Sequence, residues 1–237
     1  MSAPLEIPAD SRHDPATRRR AELSGGTSGD AIHRLVRQVV ERSAPRAATL
    51  VDMGCGSGGL SRALDGLFDR YVGCDLVRYD GFPEDARASF VEANLDRPPY
   101  DLPEGEASVT CAVETIEHLE NPRAFVRELR RITRPGGLIV ITTPNQLSLL
   151  SKITLLVKNQ FNAFQDGCYP AHITALLEMD LVRIATECGL EEIGVHYTDH
   201  GRIPFSARHW PRTFRGRWFS DNVLLRARRT AGGDRTA

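Results

Sequence analysis

The stretch Leu50-Val51-Asp52-Met53-Gly54-Cys55-Gly56-Ser57-Gly58-Gly59-Leu60 decides the fold of this chain. An apolar run ends at an acid, a glycine cluster follows, and an amphipathic segment comes after the glycines. Glycine accepts a positive φ and lets a ligand touch the backbone, and a helix that follows presents free N–H groups in its first turn. The stretch therefore predicts a strand that turns sharply into a helix around a bound nucleotide.

Apolar runs alternate with helical patterns along the rest of the chain. The predicted strands are 49–53, 71–75, 89–92, 108–113, 138–142, 192–197 and 222–228. The predicted helices are 30–43, 59–67, a short one at 83–88, 122–133, a largely helical apolar stretch at 147–164, and 173–188. This alternation favours an α/β fold in which helices cover both faces of a mostly parallel sheet.

Composition narrows the function classes. The chain has 237 residues, 41% of them apolar and 26% charged, and its net charge of −1 gives no reason to expect nucleic-acid binding. Five cysteines, an odd number without a C-x-x-C pair, predict free thiols in a reducing compartment. The longest apolar stretch, 147–157, is interrupted by polar residues and is too short to span a bilayer. The N-terminus has no apolar signal core, so a cytoplasmic location is expected.

Residues 1–27 are rich in Pro, Arg, Ser and Gly and have little periodicity, which predicts a mobile N-terminal arm. Residues 28–237 are expected to form one domain. Within it, the segment 147–190 is expected to be a helical insertion over the active site.

The nucleotide itself is ambiguous from the glycines alone. Gly54, Gly56 and Gly59 satisfy G-x-G-x-x-G, and Asp75 follows about 20 residues after Gly54, so a nicotinamide-dependent oxidoreductase stays open. Asp52 ends its strand where a carboxylate can hold a cationic amino group or order water. Asp75 also ends an apolar strand, as an acceptor for ribose hydroxyls should. A helix cap or a turn residue is the structural alternative for either acid.

The order of segments from about Asp30 to Arg228 resembles the class I S-adenosylmethionine-dependent methyltransferases. The family motifs resemble, in chain order, Val51-Asp52-Met53-Gly54-Cys55-Gly56-Ser57-Gly58, Val72-Gly73-Cys74-Asp75-Leu76, Ala93-Asn94-Leu95-Asp96, Ala112-Val113-Glu114-Thr115-Ile116-Glu117-His118-Leu119 and Arg134-Pro135-Gly136-Gly137. The resemblance implies a Rossmann-like seven-stranded sheet, mostly parallel, with an antiparallel final strand. Residues 222–228 would supply that strand, beside the fifth strand and paired with 192–197.

The resemblance also implies S-adenosylmethionine as the cofactor. The residues that it assigns to cofactor binding are Asp52, Gly54, Cys55, Gly56, Gly58, Asp75, Leu76, Asn94, Leu95, Val113 and Glu114. Asn94 departs from the commoner Asp at its position, and Asp96 is the alternative contact to the adenine.

Glu114, Glu117 and His118 follow the fourth predicted strand, at the sheet edge where open α/β folds bind ligands. Their E-x-x-E-H-L-x-N-P form resembles ubiquinone-biosynthesis O-methyltransferases and bacterial small-molecule and glycan methyltransferases. That resemblance makes His118, Glu117 and His172 the candidate catalytic residues, with His118 as the base or the group that orients the acceptor. The form also resembles small-RNA 3′-end 2′-O-methyltransferases, which implies Glu114, Glu117, His118 and His172 as candidate ligands of a divalent metal. Helix capping and loop anchoring are the structural alternatives.

Two further segments bear on the acceptor. The stretch 147–164 is apolar, with Lys152 and Lys158 as its only charges, and suits a lid, a dimer surface, a membrane-resting face or a packed helix. The stretch 198–218 interleaves arginine with aromatic residues, which suits an anionic acceptor, an anionic lipid surface or a solvated loop.

The sequence thus predicts an S-adenosylmethionine-dependent enzyme that methylates an oxygen of a small-molecule or glycan acceptor, as a monomer or homodimer. Nucleic acid is not expected as a partner, and peripheral membrane contact is compatible with the pattern. The alternatives are a metal-assisted RNA 2′-O-methyltransferase, a nicotinamide-dependent oxidoreductase, and a non-catalytic protein that uses the nucleotide fold for interaction.

Overall fold

A computed structural model describes residues 15–44 and 47–231. Its strands are β1 Ala47–Met53, β2 Phe68–Asp75, β3 Ala88–Glu92, β4 Ala107–Val113, β5 Thr133–Pro144, β6 Leu190–Tyr197 and β7 Asn222–Arg229. Its α-helices are α1 Pro15–Ser24, α2 Asp30–Ser43, α3 Gly59–Ala63, α4 Pro122–Ile132, α5 Leu149–Lys158 and α6 Glu178–Glu187. Short 3₁₀ turns lie at Ile116–His118, Asn162–Phe164 and Asp166–Cys168.

The seven strands form one sheet in the order β3-β2-β1-β4-β5-β7-β6. β7 is antiparallel to both of its neighbours, whereas β1 to β5 pair in parallel. The Rossmann-like architecture and the antiparallel final strand, inserted beside the fifth, are confirmed. The order also brings the carboxyl ends of β1, β2 and β4 to one edge, where ligands of open α/β sheets bind.

Helices pack on both faces of the sheet. On one face α2, α3 and Leu64, which follows α3, pack against the sheet, so that Val36, Leu60 and Leu64 are buried with Leu50 and Val109. On the other face α4 and α6 bury a second set, which includes Phe125, Leu129, Leu181 and Ile184. Val51 and Met53 belong to this second core, while Leu50 belongs to the first. The split follows from the two-residue period of a strand, whose side chains alternate between faces.

The structure differs from the expected mobile arm over Pro15–Ser24, which form α1. Arg20 of this helix pairs with Asp96 at 2.8 Å and with Glu120 at 3.0 Å, and Ala21 accepts a hydrogen bond from the Tyr79 hydroxyl through its carbonyl. Polar contacts to distant residues hold this helix against the domain. Its sequence therefore lacks the apolar periodicity by which a helix is usually predicted. Residues 1–14 of the predicted arm lie outside the described residues.

Tertiary contacts also change two predicted helices. The stretch 83–88 is not helical, because Asp85 accepts hydrogen bonds from the Arg87 and Ala88 amides and closes a turn. The last helix begins at Glu178 and not at 173, because the amides of Ile173 and Thr174 donate to the Glu117 carbonyl.

Within the described ranges 15–44 and 47–231, no helix has both the length and the apolar character needed to cross a bilayer.

Candidate active site

A cavity of about 680 Å³ opens at the carboxyl edge of the sheet, a size typical of ligand sites. It is bounded by α1, the first turn of α2, the turn after β1, the ends of β2 and β4, and His172. The predicted residues Asp52, Gly54, Cys55, Asp75, Leu76, Asn94, Leu95, Val113, Glu114, Glu117, His118 and His172 all line it. The structure therefore brings the predicted cofactor and catalytic residues to one place. Gly56 and Gly58 act differently, by shaping the turn beside the cavity.

The turn after β1 needs glycine for two reasons. Gly54 has a φ of +79°, and a Cβ built there would collide with the side chain of Thr115. Gly56 has a φ of +50°, and a Cβ there would collide with the Gly26 carbonyl. The same Gly26 carbonyl accepts a hydrogen bond from the Ser57 amide at 3.0 Å. The chain after α1 thus lies directly against the turn, which a side chain would not allow.

Asp75, at the end of β2, braces this turn. Its Oδ2 accepts a hydrogen bond from the Gly56 amide at 2.9 Å, and its Oδ1 accepts one from the Leu76 amide at 2.7 Å. Burial raises its pKa, while these backbone donors act in the opposite direction. Oδ1 also accepts a longer hydrogen bond from the Val77 amide at 3.4 Å. Oδ2 has a second lone pair left, so Asp75 can still accept a hydroxyl group from a ligand in the cavity.

Asp52, at the end of β1, is buried, and its Oδ2 accepts a hydrogen bond from the Tyr71 hydroxyl at 2.8 Å. Its Oδ1 is buried and has no hydrogen-bond partner among the residues that the structure describes. Burial raises the pKa of Asp52 to about 7, and the Tyr71 bond offsets only part of that effect. A cationic group in the cavity would satisfy this oxygen and favour the charged carboxylate.

Beyond β3, Asn94 and Asp96 also line the cavity. Asn94 Oδ1 accepts from the Asp96 amide at 3.0 Å, while its buried Nδ2 has no partner within 15–44 and 47–231. Asp96 is held by Arg20 of α1 and by the Glu120 amide at 2.7 Å. Asp96 is therefore already engaged, and Asn94 offers the available donor.

Glu114 directly follows β4 with a φ of +50°, a conformation that a non-glycine residue keeps only when its surroundings enforce it. Thr142 and Asn222 donate to its two carboxylate oxygens at 2.9 and 2.7 Å. Burial raises its pKa to about 7. Glu114 thereby ties the end of β4 to β5 and β7.

Glu117 and His118 lie in the 3₁₀ turn after β4. Glu117 is buried, its Oε2 accepts from the Thr143 hydroxyl at 3.1 Å, and burial raises its pKa. His118 Nδ1 lies 2.7 Å from the Ala171 carbonyl. Because a carbonyl only accepts, Nδ1 carries the hydrogen, and Nε2 of the neutral ring is left to accept a proton. Burial lowers the pKa of His118 to about 4, so the ring is neutral at neutral pH.

His172 completes the cluster. Its Nδ1 lies 2.6 Å from the Ala163 carbonyl, and its ring lies edge-on to His118 with a centroid separation of 4.8 Å. Glu117, His118 and His172 offer ligand atoms within 4.8 Å of one another, a set that could hold a divalent metal. The Glu114 carboxylate, engaged by Thr142 and Asn222, lies outside this group.

Several residues of the site were not predicted from the sequence. Arg20 and His33 line the cavity, Tyr71 bonds Asp52, and Thr115 closes over Gly54. His33 could have been noticed, since it lies on the amphipathic helix α2, which precedes β1 and its glycine turn. Arg20 carried none.

The chain matches the family described as "Methyltransferase domain" over residues 19–193. A chloroplastic tocopherol O-methyltransferase of Arabidopsis thaliana is 27% identical over 74% of this chain and 52% of its own length. A mitochondrial ubiquinone biosynthesis O-methyltransferase of Dictyostelium discoideum is 30% identical over 44% of this chain and 38% of its own length. The chain thus spans about half, or less, of these curated relatives.

A solved structure of similar fold is an S-adenosylmethionine-dependent methyltransferase from Archaeoglobus fulgidus. It matches with a TM-score of 0.60 at 17% identity, over 87% of this chain and 97% of that one. At this identity the likeness concerns the fold, and the family match concerns the sequence. Together with the glycine turn, the chain order and the strand order, these matches place the protein in the class I S-adenosylmethionine-dependent methyltransferase family.

Proposed function

We propose that the protein transfers a methyl group from S-adenosylmethionine to an oxygen atom of a small-molecule or glycan acceptor. The observation that carries this is one cavity that Asp52 and Asn94 line in one part, each with a polar atom lacking a partner among the described residues, and that the rings of His118 and His172 line in another. When bound, S-adenosylmethionine supplies an activated methyl group on a sulfonium centre. The related tocopherol and ubiquinone enzymes are O-methyltransferases by name.

The cavity fits this cofactor by its donors and acceptors. Asp52 Oδ1 and Asn94 Nδ2 are buried and lack partners among the described residues, and both residues line the cavity. We assign the cationic amino group of the cofactor to Asp52, its ribose hydroxyls to Asp75, and its adenine to Asn94 and Leu95. Buried polar atoms left without partners are costly, so a bound ligand would recover hydrogen bonds that the free protein lacks.

His118 acts as the general base of the proposed reaction. Its Nδ1 is fixed on the Ala171 carbonyl, so the ring is oriented and Nε2 takes the proton of the acceptor hydroxyl. A pKa of about 4 makes His118 a weak base. It suits an acidic hydroxyl such as a phenol, with a pKa near ~10, better than an aliphatic alcohol. We therefore propose a phenolic acceptor, with His172 and Glu117 as positioning residues. We further propose a cytoplasmic monomer or homodimer.

Calorimetric titration tests the cofactor assignment. S-adenosylhomocysteine is expected to bind and NAD is not; the reverse result would favour the oxidoreductase alternative. A methyl-transfer assay with a panel of phenols and sugars then tests the acceptor. Methylation of sugars alone would overturn the phenolic assignment.

Chelation tests the metal-assisted alternative in the same assay. EDTA is expected to leave the rate unchanged, because a neutral His118 can take the proton itself. A loss of activity restored by Mn²⁺ or Mg²⁺ would instead make Glu117, His118 and His172 metal ligands.

A further inference from the structure

Helix α5 and the loop between β6 and β7 meet in one exposed surface. The Leu149 amide donates to the Trp218 carbonyl at 2.8 Å, and Lys152 Nζ lies 3.3 Å from the centroid of the Trp218 ring. Asn145 Nδ2 donates to the Arg217 carbonyl at 2.9 Å. We call this the α5–loop surface. Its exposed members are Leu155, Leu156, Val157, Lys158, Arg212, Phe214, Arg215 and Trp218, and the half-buried Lys152 lies between α5 and the loop.

The surface exposes large apolar side chains on both α5 and the loop. Leu156 is 85% exposed, Val157 73% and Trp218 52%. Lys152 lies four residues before Leu156 and so shares its side of the helix, which makes Trp218, Lys152 and Leu156 neighbours. Contiguous exposure of this kind on a folded protein marks a contact site for a protein or a membrane.

The composition of the surface distinguishes between those partners. The chain contains two lysines and two tryptophans, and all four lie in α5 or this loop, as Lys152, Lys158, Trp210 and Trp218. The segments 147–165 and 202–218 carry seven basic residues and no acidic residue, in a chain whose net charge is −1. Three of the seven pair with acids outside these segments, Arg202 with Asp221, Arg212 with Asp199 and Arg217 with Glu178. The other four have no acidic partner among the described residues. Tryptophan concentrates at the boundary between lipid and water, and lysine can bury its stem in an apolar layer while its ammonium group stays in water.

We propose that the α5–loop surface binds the face of an anionic phospholipid bilayer. Leu156, Val157 and Trp218 would enter the boundary between headgroups and acyl chains, while Arg212 and Arg215 contact the phosphates. The charge argument favours anionic lipid over a second copy of this chain, since two copies would bring like charges together.

The surface adjoins the histidine part of the cavity. α5 leads into the 3₁₀ turn Asn162–Phe164, whose Ala163 carbonyl accepts from His172 and whose Phe164 ring lies 5.4 Å from the His172 ring. A molecule dissolved in the bilayer would therefore meet the protein beside His172. This last step rests on the proposed function, whereas the lipid binding itself does not.

Vesicle co-sedimentation of the full chain tests the proposal. Vesicles of phosphatidylcholine and phosphatidylglycerol in equal parts are expected to retain the protein, and vesicles of phosphatidylcholine alone are not. Added salt should weaken retention, because it screens the charges. In the Trp210→Phe variant, Trp218 is the remaining tryptophan, and its emission should shift to the blue on anionic vesicles.

Surface variants locate the contact. Leu156→Ser with Val157→Ser should abolish the emission shift, and Arg212→Gln with Arg215→Gln should weaken retention by about fivefold per residue. The matched controls are Leu23→Ser on α1 and Arg134→Gln at the opposite end of β5, and both should bind as the parent does. Unchanged thermal unfolding and unchanged S-adenosylhomocysteine binding establish that each variant folds.

Three results would overturn the proposal. The first is that neither kind of vesicle retains the protein, and the second is that both retain it equally. The third is that the surface variants and their controls lose vesicle retention to the same extent. Dimerisation in sedimentation velocity that Leu156→Ser abolishes, without lipid binding, would assign the surface to a second copy instead.

Discussion

Asp52 presents one bonded and one unsatisfied oxygen within a buried carboxyl group. Its pKa of about 7 means that the carboxyl of the free protein takes up a proton as the pH falls through neutrality. If the ligand's cationic amino group binds Oδ1, binding requires the charged form. Ligand affinity and protonation of Asp52 are then linked.

The first prediction follows from that linkage. The affinity for S-adenosylhomocysteine should be constant above about pH 7 and should fall below it, by up to about tenfold per pH unit. Titration calorimetry at several pH values measures it. Asp52→Asn should bind more weakly and should lose this dependence. A pH dependence that persists in Asp52→Asn would assign it to another group, of which Glu114 is the nearest candidate by pKa.

The second prediction concerns Asp75, which holds the Gly56 amide and, in our proposal, the ribose. Asp75→Ala should raise the dissociation constant of S-adenosylhomocysteine by about 10–100-fold, since a hydrogen bond to a charged group contributes roughly 1.5–3 kcal/mol. Asp80→Ala, at an exposed position of the loop that follows, is the control and should bind normally. Unchanged affinity in Asp75→Ala would mean that the ribose lies elsewhere.

The third prediction tests His118 as the base. His118→Ala should lower kcat by about 10²–10⁴-fold and leave S-adenosylhomocysteine affinity unchanged, because the lost step is proton transfer. His209→Ala, which removes an exposed histidine of the β6–β7 loop, should keep full activity. A change below about threefold in His118→Ala would reduce His118 to a structural residue.

At the scale of residues, the sequence predicted those site residues that lie at or soon after the end of an apolar strand. Asp52 and Asp75 lie at the ends of β1 and β2, and Glu117 and His118 follow β4. Parallel strands bring such ends together. The Tyr71 partner of Asp52 could not be predicted, because its strand is aligned with β1 by a register that the sequence does not encode locally.

Helix α1 is the element that the sequence described least well, and it closes one side of the cavity. Thr17, Arg20, Ala21 and Ser24 all line the space that we assign to the cofactor. The helix is joined to the domain by the Arg20 ion pairs and the Tyr79 hydroxyl. A ligand in the cavity would therefore be covered by a helix that polar contacts hold in place.

The fourth prediction follows from this cover. Arg20→Ala should weaken S-adenosylhomocysteine binding by about tenfold, mainly through faster dissociation, because the part-buried pair with Asp96 is lost. Arg18→Ala on the same helix is the matched control, since its pair with Glu22 is exposed and contributes little. Stopped-flow displacement measures the dissociation rate. Equal effects of the two variants would show that helix stability, and not the Asp96 contact, governs release.

Across the whole molecule, the sheet was predictable because each strand is a compact apolar run between turn residues. The antiparallel partner of β5 came from the family resemblance, since nothing in the local sequence gives direction. Helix boundaries failed where the backbone bonds to distant residues, as at Ile173 and Thr174 with the Glu117 carbonyl. These hydrogen bonds also fix the backbone beside His172. The sequence therefore predicted Glu117, His118 and His172 as site residues, but it did not predict how they are arranged.

The fifth prediction treats the molecule as one unit. The cavity joins α1, the glycine turn, β2, β4 and His172, so a ligand there contacts both the early and the late parts of the chain. S-adenosylhomocysteine at 100-fold its dissociation constant should stabilise the fold by about 2.7 kcal/mol. For a domain of this size that corresponds to a rise in Tm of about 5–10 °C, measurable by scanning calorimetry. NAD at the same concentration should leave Tm unchanged. In the proposed site the unsatisfied Asp52 oxygen binds a cationic amino group, and NAD does not place such a group beside Asp52. An equal rise with NAD would contradict both the cofactor assignment and the role given to Asp52.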